Sequence, residues 1–154
     1  MKYIEFGKNN VSLSTVILGM MRINDLSAKE VETLIETALD SGINAFDLAD
    51  CYGDGKCESI VGEVLASRPD LRSKMWIQSK CGIRRDDGLK YFDFSFEHII
   101  EAVDDILGRL KTDHIDSLLL HRPDALMEPE RIGEAIESVV KSGKVTDFGV
   151  SNMN

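Results

Sequence analysis

The chain lacks any run of uncharged apolar residues approaching the roughly 20 needed to cross a bilayer as a helix, and its opening, MKYIEFGKNN, has no apolar signal core. A cytoplasmic protein without a membrane partner is therefore expected. Basic residues are also few: 18 Lys and Arg stand against 27 Asp and Glu, a net charge of −9. No stretch groups those cations with aromatics, which argues against a nucleic-acid surface. Cysteine is limited to Cys51, Cys57 and Cys81. An odd number without a secretory signal implies no disulfide framework, and reduced thiols are expected. These cysteines lack CxxC spacing, and His114 and His121 do not match a usual zinc-ligand spacing, so no metal site is expected. Nor does a Pro/Ser linker, a low-complexity tract or a break in charge mark a boundary, and residues 1–154 read as a single domain.

What is present suits a globular domain: 43% of residues are hydrophobic and 29% charged. Tyr3, Ile4 and Phe6, then Val11 and Leu13, alternate as an N-terminal hairpin would. Beyond them short apolar runs alternate with segments of helical period, the rhythm of βαβ units. Strands are expected at Thr15–Gly19, Asn44–Ala49, Met75–Cys81, Ile115–His121 and Val145–Ser151, each apolar enough to be buried on both faces. Val31, Leu34, Ile35, Ala38 and Leu39 share one helical face, with Ser27 and Glu30 forming a capping-box pattern ahead of it. A second helix is expected from about Glu58 to Ser67, stopping before Pro69. A third carries Phe96, Ile99, Ile100, Val103, Ile106, Leu107 and Leu110. A fourth runs from Pro129 through Ile132, Ala135, Ile136, Val139 and Val140 to Gly143. The paired acids Asp86-Asp87 and Asp104-Asp105 read as solvated loop and helix surface.

Right-handed parallel crossovers leave two common outcomes, an open doubly wound sheet or a closed eight-stranded barrel that usually takes about 250 residues. Length alone favours the open sheet. The turn such a sheet would use for a dinucleotide is not evident, because Gly53-Asp54-Gly55 lacks the third glycine of GxGxxG.

The informative feature is position. Asp47, Lys80 and His121 stand at or near the C-terminal ends of three successive expected strands, and Tyr52 follows in the loop after the first. Singly each has a structural explanation: a turn cap, a packed ring, a lysine reaching solvent, a hydrogen-bonded core histidine. Together they place four ionisable groups on the face where a barrel holds its active site, and buried charges there must be paired.

The motifs around these residues resemble the aldo-keto reductase family. Gly42-Ile-Asn-Ala-Phe46-Asp47-Leu-Ala-Asp50-Cys-Tyr52-Gly53, followed by Glu58 and Val61-Gly62, is similar to the family's signature around its catalytic aspartate and tyrosine. Ile77-Gln-Ser-Lys80-Cys81 resembles the catalytic lysine strand, and Leu118-Leu-Leu-His121-Arg-Pro-Asp124 the catalytic histidine strand. Gly143-Lys-Val145 and Phe148-Gly-Val-Ser151-Asn152 resemble the next strand, whose Ser-Asn pair holds the nicotinamide carboxamide. The resemblance spans nearly the whole chain, with the HRPD form closest to bacterial oxidoreductases. It implies an α/β fold of (β/α)8 TIM-barrel type, here as five βα strands behind an N-terminal hairpin.

The resemblance further implies reduction of a small aldehyde or ketone by hydride transfer. NADPH is the expected cofactor, with NAD left open. Tyr52 would be the general acid, Lys80 would favour the phenolate left behind, Asp47 would hold Lys80, and His121 would orient the carbonyl. Ser151, Asn152, Asp47, Gly19 and Met20 would meet the cofactor, with Met21 beside them. A non-catalytic nicotinamide-binding regulator of the same fold is the alternative, and a Schiff-base lyase using Lys80 is a third reading. Because the family barrel has eight strands, the chain reads as truncated. Weak NADPH binding by the chain alone and self-association through open sheet edges are expected.

Overall fold

Period-two alternation at the start produces an antiparallel hairpin, β1 (Tyr3–Phe6) with β2 (Val11–Ser14). The computed structural model describes residues 1–7 and 9–153; Lys8, between these strands, and Asn154 lie outside the described residues. Leu13 packs with Ala45 and Trp76 in a small cluster, and Phe6 meets the Trp76 ring edge-on at 5.4 Å. The hairpin therefore covers the N-terminal end of the strands that follow.

Those strands are β3 (Ile17–Gly19), β4 (Ala45–Asp47), β5 (Trp76–Cys81), β8 (Ile115–Leu120) and β9 (Val145–Val150). All neighbours are parallel, in the order β3-β4-β5-β8-β9. The five expected strands are all present, each shorter at one or both ends. Helices α1 (Ala28–Asp40), α2 (Lys56–Ser67), α4 (Phe96–Leu110) and α5 (Pro129–Lys141) form the crossovers, with a short α3 (Pro69–Arg72) after α2. Ser27 and Glu30 form the capping box, and Ser95 caps α4 by accepting from the His98 amide. Burial of Val31, Ile35 and Ala38 on α1, and of Ile99, Val103, Ile106 and Leu110 on α4, realises the stripes seen in the sequence.

Two expectations need correction. Burial on both faces does not extend to the sheet edges: Ile17 on β3 is 50% exposed and Val150 on β9 is 55% exposed. An edge strand has a neighbour on one side only, and its side chains lose half their cover. Asp86-Asp87 also belongs to an ordered element, the hairpin of β6 (Ile83–Asp86) and β7 (Leu89–Phe92). Asp87 and Gly88 both have positive φ, 44° and 81°, as a two-residue hairpin turn with right-handed strand twist requires. The acids remain exposed, as expected, but at the tip of a β-ribbon.

Helices α2 and α4 meet at Gly62. A Cβ there would lie 1.9 Å from the Arg109 carbonyl oxygen and 2.9 Å from the Leu110 carbonyl carbon. Both obstacles are backbone, so neither can rotate aside. Gly62→Ala is expected to destabilise the fold by about 1–3 kcal/mol or more, seen as a lower urea midpoint; an unchanged midpoint would show that the helices can separate at little cost.

Candidate active site

Side chains alternate across a strand, and this decides which residues meet. Phe46, Ile77, Cys81, Leu118 and Leu120 point into the main core beneath the helices. Residues of opposite parity, Asp47 on β4, Gln78 and Lys80 on β5, and His121 just beyond β8, therefore share the other face. The parallel register sets Asp47 beside Gln78 and Lys80 beside Leu119, bringing these groups together at the C-terminal end of the sheet.

There Lys80 is 6% exposed and fully engaged. Its ammonium lies 2.7 and 2.8 Å from the two carboxylate oxygens of Asp47, 2.8 Å from the Leu48 carbonyl and 3.1 Å from the Tyr52 hydroxyl. The three ammonium hydrogens thus have partners in three residues. Gln78 donates to Asp47 at 2.6 Å and fixes the carboxylate from the other side. The Tyr52 ring stands edge-on to His121 with centroids 5.9 Å apart. All four expected catalytic residues are brought into one cluster.

His121 is 9% exposed, and its backbone amide donates to the Cys81 carbonyl at 3.0 Å. Burial, reinforced by the nearby cations Lys80 and Arg122, pushes its imidazole down to about 4, so the ring is neutral near pH 7. Its Nδ1 faces the Cys51 sulfur at 3.6 Å. A neutral ring carries one proton, and donor and acceptor in this contact follow the tautomer: with the thiol donating to Nδ1, the ring proton sits on Nε2.

The expected cofactor residues fall into two groups. Gly19, exposed at the end of β3 and paired in register with Asp47, has open space where a side chain would project. Ser151 and Asn152 follow β9, with the Ser151 amide donating to Leu120 and the Asn152 amide nitrogen lying 3.3 Å from the His121 carbonyl and 2.7 Å from the Ser151 hydroxyl. These polar groups and the bare glycine beside Asp47 fit the carboxamide end of a nicotinamide. Met20 does not join them, because its side chain is fully buried in the core and only its backbone, donating to the Asp47 carbonyl, borders the site. Met21 is 50% exposed.

Gln78, Asp50 and Cys51 were given no role by the sequence reading. Gln78 was legible in principle, since it lies two residues before Lys80 and so shares its face. Cys51 and Asp50 had no such signal, as their position follows from the path of the loop between β4 and α2. Burial pushes the Asp50 carboxyl up to about 7, helped by the charge of Glu58, and its Oδ1 is buried with no hydrogen-bond partner among the described residues. Beneath the sheet, on the helix side, Glu58 is fully buried, accepting from Ser79 at 2.5 Å and Arg109 at 2.7 Å.

A lysine clamped between an aspartate and a tyrosine, with a neutral histidine beside it at the C-terminal rim of a parallel βα sheet, is the arrangement that the resemblance to aldo-keto reductases implies. Comparison with known proteins agrees. Residues 15–154 match the model of the Aldo/keto reductase family, and the chain belongs to that family. It is 42% identical over 151 residues to an uncharacterized oxidoreductase, YcsN, of Bacillus subtilis, covering 93% of this chain and 50% of that protein. It is 40% identical over 153 residues to a 6-dehydroglucose reductase of Agrobacterium fabrum, covering 94% of this chain and 52% of that one. The structure is similar to the holo form of the aldo-keto reductase AKR11C1 from Bacillus halodurans, with a TM-score of 0.87 at 30% identity over 99% of this chain and 51% of that one. The chain thus spans about half the length of the curated relatives it matches, and its five-stranded parallel sheet is that part of the family's α/β barrel. Among the described residues no helix is long and apolar enough to cross a membrane.

Proposed function

We propose that this site reduces a small aldehyde or ketone to the alcohol, with NADPH as reductant and NADH as the alternative. The observation that carries the reading is the unbroken chain from Gln78 through Asp47 and Lys80 to the Tyr52 hydroxyl, beside a neutral His121. A reduced nicotinamide held by Ser151, Asn152, Asp47 and the backbone at Gly19 and Met20 would supply the hydride taken up by the carbonyl carbon.

This chain's own residues would manage the oxygen and its proton. His121 donates from Nε2 to the carbonyl oxygen and aims it. Tyr52 gives its hydroxyl proton to the developing alkoxide and is left as phenolate. The Lys80 cation, 3.1 Å away, stabilises that phenolate until solvent reprotonates it. Asp47 and Gln78 keep the ammonium in place. The same contacts favour reduction over Schiff-base chemistry, because a lysine nucleophile needs a free nitrogen and that of Lys80 is engaged by Asp47, Leu48 and Tyr52.

The test is NADPH consumption with an aromatic aldehyde, measured in a complete barrel carrying these residues. Aldehyde-dependent oxidation of NADPH is expected there, and its absence with cofactor bound would reject the reading. Residues 1–154 alone are expected to bind NADPH weakly and turn over little, and turnover matching a complete barrel would reject that part. The exposed edges at Ile17 and Val150 support self-association of the chain, which sedimentation velocity would reveal.

A further inference from the structure

We propose that Asp50, Cys51 and His121 form a binding site for a thiophilic divalent cation of the zinc type. One oxygen, one sulfur and one ring nitrogen from these residues all lie within 4.8 Å of one another. Of the two ring nitrogens, His121 Nδ1 lies 3.6 Å from the Cys51 sulfur. A tetrahedral zinc with bonds of about 2.3 Å to sulfur and about 2.0–2.1 Å to nitrogen separates those two ligands by about 3.6 Å. The pair therefore already stands at the edge length of the coordination tetrahedron.

Two further observations point to a ligand at this place. Asp50 Oδ1 is buried and has no hydrogen-bond partner among the described residues, a state that costs free energy and that a metal bond to this oxygen would relieve. The backbones of Asp50 and His121 are also anchored to the sheet. The Asp50 amide donates to the Lys80 carbonyl at 3.1 Å, and the His121 amide donates to the neighbouring Cys81 carbonyl at 3.0 Å. Adjacent residues of β5 thus anchor both loops, so the donors would be preorganised when an ion arrives.

The donor set matches the ion in softness and charge. Thiolate and imidazole select borderline-soft metals over magnesium or calcium. On binding, the Cys51 thiol releases its proton to solvent and the sulfur forms the metal bond. Thiolate and carboxylate then neutralise the dication. Three protein ligands leave a fourth position for water. Neither of the other thiols has such surroundings. Cys57 is fully buried with its sulfur 3.7 Å from the Met21 carbonyl, and Cys81 is fully buried in the core. The proposal does not depend on the reduction reading, although His121 belongs to both.

The experiment titrates the purified, reduced chain with Cd²⁺, read by thiolate-to-metal charge-transfer absorption, and with Zn²⁺ in competition with a chromogenic chelator. One ion per chain and a charge-transfer band are expected. Cys51→Ser should abolish the band, Asp50→Asn and His121→Ala should each lose stoichiometric Zn²⁺ binding, and Cys57→Ser and His114→Gln should keep both signals. Circular dichroism of each variant separates loss of the site from loss of the fold. The proposal is overturned by absence of the band in the folded parent, or by its persistence in Cys51→Ser. Zn²⁺ affinity indifferent to both Asp50→Asn and His121→Ala would equally overturn it, since it would mark a lone thiol binding metal adventitiously.

Discussion

Tyr52→Phe, in a complete barrel carrying these residues, is expected to slow carbonyl reduction by about 10²–10⁴-fold, the usual worth of a positioned general acid. Phenylalanine keeps the ring that stands edge-on to His121 and removes only the hydroxyl 3.1 Å from Lys80. Folding and nicotinamide binding should therefore survive, and the loss should fall on kcat. Single-turnover measurement at saturating NADPH isolates that step. Lys80→Met should lose a comparable factor by a different route, because it leaves Asp47 without its cation. A Tyr52→Phe enzyme within a few-fold of the parent would mean that another group, or water, delivers the proton.

Arg109→Met is expected to cost about 3–5 kcal/mol of stability at neutral pH, toward the lower end because solvent reaches part of the guanidinium. Glu58 has no exposed surface, and burial pushes its carboxyl above the usual range while Ser79 and Arg109 pull it back down. Without Arg109 the opposing charge is gone and the folded carboxyl keeps its proton to higher pH. A carboxyl raised in the folded state contributes most below its unfolded value of about 4.3, and that contribution is lost as pH rises through the folded value. The destabilisation should therefore be larger at pH 8 than at pH 5. Urea unfolding of parent and variant at both pH values tests this, and an equal loss at the two would show that Glu58 is not the group left unpaired.

Both predictions concern contacts that the sequence makes visible to different degrees. The triad of Asp47, Lys80 and His121 was legible because strand ends can be located from apolar runs, and ionisable groups at such ends stand out against their neighbours. Tyr52 joined them from the loop after the first strand, and the family motifs then supplied its role. The ribbon of β6 and β7 was overlooked although Asp87-Gly88 is a hairpin-turn pair, because the flanking residues lack the apolar alternation that marks a half-buried strand. At Met20 the sequence locates the end of β3 but not the direction of the side chain beyond it, which packs inward and leaves only the backbone facing the site. Exposure at Ile17 and Val150 likewise depends on strand neighbours, which an apolar run does not specify.

By itself the sequence determined the order of βα units, the helical faces and the identity of the residues at the strand ends, because period and capping act between residues a few positions apart. Only the tertiary structure decided that Gln78 locks Asp47, that Glu58 is neutralised from α4 by Arg109, and that Cys51 and Asp50 close on His121 from a loop 70 residues earlier. Those contacts depend on parallel register and on how a loop crosses the end of a neighbouring strand. Such long-range geometry is set by the packing of the whole sheet and leaves no trace in local spacing.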